Sequence, residues 1–501
     1  MNMKKLLLIA SILLFKLTSF AQAPAIEWQK TYGNEGWEEA NCIQKTSDGG
    51  YIIAGEVTGG NGGGFLIIKI NNAGVLQWQK RYGGTTARET AYSIQQTTDG
   101  GYIVAGQTTS TDGDVTGNHG MMDFWVIKIN SVGTLQWQKT LGGTQDDIAY
   151  SVQQTTDGGY VVAGRTSSVD GDITSFHGNE ITDYWVVKLN SLGVLQWQKT
   201  LGGTSTDEAH SIQQTEDGGY IITGEAISSD GDLLGNKSGG AWVVKISDLG
   251  VIQWQKTLEK IIYHATYGYS IQQTTDGGYI MAGQTQSVDY LSWDYYVVKM
   301  DASGTVEWQK SFGGTLDDKA YSVKQTIDGG YIVAGSTRST GGDVSGNHGV
   351  DDYWLIKLNS VGALVWQKAL GGTLIDVANS VLQTNDGGYI VAGYSKSNNG
   401  DVTNNIGVSR FWIVKLTSTL STEYFKQQPF VLFPNPAKTI LNINVGNSSA
   451  LDRVTVTDVS GKIIVQKQNA SEIDVAHLAS GIYIIEAYSG NKKFQSKFVK
   501  E

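Results

Sequence analysis

Four oxygen-bearing side chains crowd one short stretch of the chain: Asp112, Asp114, Asn118 and Asp123. A related stretch carries Asp343, Asn347 and Asp352. Carboxylates and amides at this spacing offer hard oxygens to Ca²⁺, which takes roughly six to eight of them. Calcium is the one cofactor that these residue types suggest. The pattern fades elsewhere, to Asp230 and Asp232 in one copy and Asp401 in another. No Glu stands where a helix–loop–helix calcium site needs it. Asp and Asn in such loops also bond their own backbone, and the irregular recurrence favours that reading.

A second grouping suits acid–base chemistry on sugars. Glu259, Asp289 and Asp294 lie among Tyr263, His264 and Trp293. Two carboxylates can act as acid and base on a glycosidic bond, and aromatic rings can stack on the sugar. Drift of surface loops explains the same residues more simply. The sequence holds no Gly-X-Ser-X-Gly elbow, zinc-spaced histidines or phosphate-binding loop.

The elements that carry these groups are repeats. A Trp-Gln-Lys tripeptide begins at Trp28, Trp78, Trp137, Trp197, Trp254, Trp308 and Trp366. An Asp-Gly-Gly-Tyr tetrapeptide begins at Asp48, Asp99, Asp157, Asp217, Asp276, Asp328 and Asp386. Seven copies of each mark one unit used seven times. An acid stands two residues before an Ala at Glu38, Glu89, Asp147, Asp207, Asp318 and Asp376. A residue used once per unit reads as architecture, whereas catalysis needs one asymmetric constellation.

Each unit contains four short strand-like runs. In the third they are Ser151–Thr155, Tyr160–Ala163, Trp185–Leu189 and Leu195–Lys199, with Gly-containing turns between. Two runs are apolar on both faces, one is Gln-rich, and one alternates Gln and Lys with apolar residues. That is the strand chemistry of a propeller blade, from a wet channel outward to solvent. The array opens with a lone outer strand at 25–30 and ends after Phe411–Leu416 without its own Trp-Gln-Lys. The expected fold is therefore all-β: a seven-bladed β-propeller over 22–416, closed by its N-terminal strand, which leaves no free sheet edge.

Composition narrows the class. The formal charge is −11, with 64 Gly and only 4 Pro in 501 residues. No basic run tracks a phosphate backbone, so a nucleic-acid partner is not expected. Residues 1–21 read as a signal peptide, with Lys4 and Lys5 before the short apolar run Leu6–Leu14 and a cut before Gln22. Its removal takes Lys16 as well and brings the charge to −14. No Cys follows the apolar run, so no lipoprotein anchor is expected, and no later segment reads as a transmembrane helix. Cys42, the only cysteine, reads as a small buried hydrophobe.

Composition shifts after a polar linker at 417–429. Residues 430–501 carry eight Lys or Arg and six Asp or Glu. The strand-like runs Ile440–Val445, Val454–Thr457, Lys462–Val465, Ile482–Ala487 and Phe494–Val499 predict a small β-sandwich.

Several motifs there follow in a specific order. They are Phe433-Pro434-Asn435-Pro436, Leu441-Asn442-Ile443, Val459-Ser460-Gly461-Lys462, Ile473-Asp474-Val475 with Leu478, Gly481-Ile482-Tyr483 and a Lys-containing end. This segment resembles the type A C-terminal sorting domain of type IX secretion. The resemblance implies passage across the outer membrane by the type IX machinery and cleavage before the domain, here in the linker. It further implies release or anchoring to surface lipopolysaccharide. It points to Gly481, Tyr483, Lys493 and Lys497 as residues that the translocon reads. The repeats also look like Asp-Gly-Gly-Tyr-rich arrays in secreted proteins of the same bacteria, a likeness that supplies no activity.

The expected protein is secreted or displayed on the outer surface and binds a glycan or a protein without catalysis. The alternatives are a secreted glycoside hydrolase and a purely structural surface component. An active site would break the repeat, and the unit around Glu259–Asp294 breaks it most.

Overall fold

The computed structural model describes residues 21–501 except 34–35, 60–61, 86–87, 178–180, 234–238, 259–264, 288–291, 407, 419–430, 445–450, 459–461 and 490–491. The chain divides into two compact units, residues 1–419 and 420–501.

The described residues of the first unit form seven four-stranded antiparallel sheets in a propeller-like arrangement. The third sheet shows the pattern: Asp147–Gln154, Tyr160–Thr166, Asp183–Leu189 and Leu195–Leu201, paired in that order. Local chemistry sets each turn. Gly158 takes a φ of 82°, a conformation costly for a residue with a Cβ, while Asp157 Oδ1 accepts from the Gly159 N–H at 2.9 Å. Asn190 Oδ1 accepts from the N–H groups of Leu192 and Val194 to make the next turn. The inner strand starts at Asp147, four residues before the expected Ser151. Its first residues extend the ladder, Asp147 opposite Thr166 and Ala149 opposite Gly164, and the Asp147 N–H also donates to the Met122 carbonyl of the preceding sheet.

The Lys of each third strand reaches back to the Asp of the Asp-Gly-Gly-Tyr turn. Lys128 meets Asp99 at 2.9 Å, and the same contact recurs in all seven sheets, at 2.8–2.9 Å. Partial burial alone would raise Asp99. The Thr97 hydroxyl, Lys128 and the Gly101 N–H outweigh it and hold the carboxyl down at about 2.

The seventh sheet is made from both ends of the unit. Ile26–Tyr32 pairs antiparallel with Arg410–Leu416, with Tyr32 opposite Phe411 and Ile26 opposite Leu416. The second strand of each sheet packs on the inner strand of the next, and Tyr389–Ser395 packs on Trp37–Lys45 in the same way. Aromatic rings fill these layers. Trp125 lies 4.5 Å from Phe65, Trp185 4.5 Å from Phe124, and Trp412 4.5 Å from Tyr353, ring centre to ring centre. All three Trp are fully buried, which places most of the apolar burial between sheets.

The inner strands surround a polar cavity of about 260 Å³. Their side chains stitch each sheet to the next. Ser93 Oγ accepts from the Val152 N–H at 3.2 Å, Ser151 from Ile212, and Ser322 from Val381. Ser380 accepts from Ile43 across 337 residues of chain, at 3.3 Å. Cys42 occupies this Ser column. It is only half-buried, and its Sγ lies 3.7 Å from the Ile94 carbonyl oxygen. It lines the cavity and also packs against the core cluster that holds Ile94, Val104 and Trp125.

The second unit holds two sheets. One pairs Val431–Phe433, Ile440–Asn444 and Glu472–Asp474, and the other Ile463–Gln468, Arg453–Thr457, Gly481–Ser489 and Lys492–Lys500. Leu441 and Ile473 of the first share a buried core with Val456, Ile485 and Phe498 of the second. Val431–Phe433 and Glu472–Asp474 are strands beyond those expected. Each has three residues, too short to show an alternation in sequence.

Candidate functional site at the channel mouth

Each inner strand carries a β-bulge just after its Ala or Gly, and the bulged residue marks a ring around the cavity. Five of these residues are aromatic and adjoin in sequence order. Ring centres are 5.0 Å apart for Tyr92–Tyr150, 5.1 Å for Tyr150–His210, 5.0 Å for His210–Tyr269 and 5.5 Å for Tyr269–Tyr321. Asn379 and Asn41 complete the circle: Asn379 Nδ2 donates to the Ala40 carbonyl and Asn41 Nδ2 to the Ala91 carbonyl. Burial, then Arg165, lowers His210 to about 4, so it is a neutral imidazole near pH 7.

The residue before the Ala or Gly forms the next layer toward the mouth. Here the repeat loses its regularity. The column reads Glu39, Thr90, Ile148, Glu208, Tyr267, Lys319 and Val377. Their strand partners are Glu56, Gln107, Arg165, Glu225, Gln284, Ser336 and Tyr394. The position before this column holds an acid, or Thr266, and the position after it holds Ala or Gly. The chain therefore spends its variety at one end of the channel. The signal is present in the sequence as a column-by-column difference among the seven copies.

Charge is paired at this level, both across neighbouring sheets and within the loop of one. Arg88 grips Glu56 through both carboxylate oxygens at 3.0–3.2 Å, and Thr90 donates to Glu56 at 2.6 Å. Arg165 Nη1 donates to Glu208 at 2.8 Å, and Arg338 forks onto Asp351. Lys396 sits over the rings of Trp37 and Tyr394 at 5.2 and 5.5 Å. Burial, then the Glu208 carboxylate, pushes Glu225 up to about 7 against the pull of Arg165. Three groups in this layer keep open hydrogen-bonding atoms: Gln107 Oε1, Gln284 Oε1 and Arg165 Nε are buried with no partner among the described residues.

The residues singled out by sequence fall in several places. Trp293 lies at the mouth, its ring 5.1 Å from that of Tyr267. Asp294 instead points between sheets, toward Asp318 across Gly313. Glu259, Tyr263, His264 and Asp289 lie outside the described residues.

The oxygen-rich loops bond to themselves and to the adjoining turn. Asp112 accepts from the Thr85 N–H at 3.0 Å and Asp114 from the Gly83 N–H at 3.2 Å. Asn118 accepts from Gly120, and Asp123 accepts from the backbone and ring of His119. Asp343, Asn347 and Asp352 repeat this with Gly313, Gly349 and His348. Among the described residues no three His, Cys, Asp or Glu side chains gather in a group that could hold a metal.

In the second unit Gly481 opens a strand opposite Lys500, and Tyr483 stacks on Phe498 at 5.7 Å and donates to the Ala479 carbonyl. Lys493 pairs with Tyr488 and Lys497 with Ile484 across the same ladder, and Lys497 is exposed.

Comparison with known proteins assigns this second unit. Residues 431–501 match the secretion system C-terminal sorting domain. This segment is a type IX sorting domain, and the chain is an exported protein of the cell surface or the surroundings. Among the described residues no helix is long and apolar enough to cross a membrane.

The first unit has weaker likenesses. The regulatory protein FlaEY of Caulobacter vibrioides is 27% identical over 175 residues, 32% of this chain and 18% of that protein. The chain thus spans under a fifth of the curated relative it matches. Among solved structures, Sqt1 of Chaetomium thermophilum bound to the N-terminus of ribosomal protein L10 is 9% identical, covering 77% of this chain and 98% of that one, with a TM-score of 0.41. A puromycin hydrolase is 12% identical, covering 83% and 61%, with a TM-score of 0.42. Likeness at this level assigns neither ligand nor chemistry.

Proposed function

We propose that the chain is an exported, non-catalytic binding module whose ligand, a glycan or a protein, docks at the channel mouth. Its first unit is a closed seven-bladed β-propeller over residues 22–416. The strand Ile26–Tyr32 completes the seventh blade, a reading supported by its pairing with Arg410–Leu416 and by the Ser380–Ile43 hydrogen bond. A leader at 1–21 and the sorting domain at 431–501 serve export. The 417–429 linker is where processing separates them, leaving the propeller released or held by surface lipopolysaccharide. Gly481, Tyr483, Lys493 and Lys497 present the sorting signal.

One observation carries the binding reading: the column at Glu39, Thr90, Ile148, Glu208, Tyr267, Lys319 and Val377 mixes acidic, basic, polar, aromatic and aliphatic residues, while the position before it is an acid in six copies of seven and the position after it is Ala or Gly. Packing needs the same residue seven times. Recognition of an asymmetric ligand needs different ones.

The test is to incubate the secreted full chain with a polysaccharide panel and with solubilised surface proteins, recording retention and new reducing ends. Retention without new ends, weakened by Glu39→Gln with Lys319→Gln and untouched by Asn385→Ala at the opposite end, is expected. New reducing ends would make the protein a glycoside hydrolase. Retention indifferent to the mouth variants would move the site elsewhere.

A further inference from the structure

We propose that the mouth between the third and fifth sheets is a subsite for a neutral pyranose, built from Arg165, Glu208, Glu225, Tyr267, Gln284 and Trp293. The inference rests on the binding reading above and names the ligand chemistry of one sector of that site.

Ring geometry comes first. Tyr267 and Trp293 pack in a tilted stack, ring centres 5.1 Å apart and planes at 31°, and both are half-exposed. The outer face of such a pair makes a platform for the C–H face of a sugar, a surface that is apolar and carries no charge. Tyr269 continues the aromatic surface inward, 6.5 Å from Tyr267.

Polar groups border the platform. Glu208 and Glu225 are direct partners across two strands of the fourth sheet, so their side chains leave the same face. Gln284 is the direct partner of Tyr267, only 5% exposed, and its Oε1 has no donor among the described residues. Arg165 spends Nη1 on Glu208 and keeps a buried Nε without an acceptor. A carbonyl wanting a donor, opposite Tyr267, and an N–H wanting an acceptor, on the partner of Glu208, match hydroxyl groups that supply both roles.

Charge selects against ionic ligands. Arg165 cancels Glu208. Glu225 is faced by Glu208 and Asp207 on its own sheet, by Arg165, Tyr150 and Tyr184 from the third, and by Tyr267 and Tyr269 from the fifth. Within this set only Arg165 is cationic, so Glu225 holds its proton to about pH 7. A protonated carboxyl donates one hydrogen bond and accepts others, which suits a hydroxyl. Once ionised beside Glu208 it loses the donor and adds a repelled charge.

The experiment titrates the full chain with laminarin, xylan and galactomannan as neutral probes and with alginate as an anionic control, from pH 5 to pH 8.5. At least one neutral polymer binds, with little salt dependence. Trp293→Ala and Tyr267→Ala each weaken it by about tenfold or more. Wild-type affinity falls as pH rises through 7, while Glu225→Gln binds equally at both ends of the range. That pH difference separates a ligand contact from a merely structural role. Binding of alginate alone, or of no polysaccharide, overturns the sugar assignment. Neutral binding that is lost in Trp37→Ala but kept in Trp293→Ala and Tyr267→Ala overturns this sector while leaving a mouth-binding module standing. A protein ligand whose binding needs the mouth column likewise spares the module and ends the sugar proposal.

Discussion

Arg410 and Glu38 stand 372 residues apart and form a buried ion pair between the seventh sheet and the first. Arg410 opens its third strand, and Glu38 lies at the start of the next inner strand. At the same position in three other junctions two acids meet: Asp123 with Asp147, Asp183 with Asp207, and Asp352 with Asp376. All six are 0% exposed. A Cβ on Gly371 would lie 2.7 Å from both Asp352 Oδ1 and Asp376 Oδ2, so glycine is required where the two carboxylates converge. Asp294 and Asp318 meet likewise across Gly313. Between the fourth and fifth sheets the position is neutral: Gly240 and Thr266, whose hydroxyl donates to the Leu258 carbonyl at 2.6 Å. A buried carboxylate needs a counter-charge or a proton. The seam supplies an arginine, whereas Asp123, Asp183 and Asp352 meet the rings of His119, His177 and His348 at 2.7–3.0 Å.

Removing that arginine strands a buried acid. Arg410→Met should destabilise the protein by about 3–5 kcal/mol, the usual cost of breaking a buried pair from one side. Adding Glu38→Gln should recover most of the loss. Thermal unfolding of the single and double variants reads this directly, and a double variant no better than the single would refute the pairing.

The acid pairs make stability fall at alkaline pH. Burial raises Asp147 and Asp318 to about 6, with Asp123 and Asp294 adding repulsion. Folded values above the unfolded one near 4 give stability that is complete below that value and lost as pH rises through 6. Asp147→Asn should therefore raise the melting temperature at pH 8 and leave it nearly unchanged at pH 4. A variant that melts lower at pH 8 would contradict the sign.

The turn acids pull the other way. Asp48, Asp99, Asp157, Asp276 and Asp386 are each held at about 2. Depressed values give stability that is complete above pH 4 and lost as pH falls through 2. A maximum between about pH 4 and pH 6 should result. Lys128→Met, which removes the partner of Asp99, should shift acid unfolding to higher pH by a few tenths of a unit, followed by circular dichroism.

Export depends on the second unit. Deleting 431–501 should leave the propeller folded but retained inside the outer membrane, detected by fractionation of the producing cells. Secretion of the truncated chain at the normal level would show that the domain is dispensable.

His210 should stay neutral through the physiological range. Burial and Arg165 lower it to about 4, so its ring resonances should shift only below pH 5. Titration near pH 6.5 would mean that the aromatic ring opens to solvent.

Local patterns carry most of the fold, and they are legible one repeat at a time. Asp157-Gly158-Gly159 needs no distant partner to turn, and Tyr160–Thr166 is too apolar to face water. The lone strand at 25–30 and the missing outer strand after Leu416 foretell the pairing of Ile26 with Leu416. The order of motifs after Phe433 identifies the sorting domain in the same direct way. Contacts between repeats are not legible, because they join residues some 50–60 positions apart. Asp147 looks like a turn residue until Asp123 is seen beside it, and Glu225 looks like an ordinary strand residue until Glu208, Arg165 and Tyr267 surround it. Burial and proximity shift such groups, and both are properties of packed sheets. Seven copies of one strand pattern and the route of export are legible in residue order. The tertiary structure alone decided which carboxylates face each other and where the copies differ in space, since sheet-to-sheet packing, not chain order, sets the distances that charge and hydrogen bonding obey.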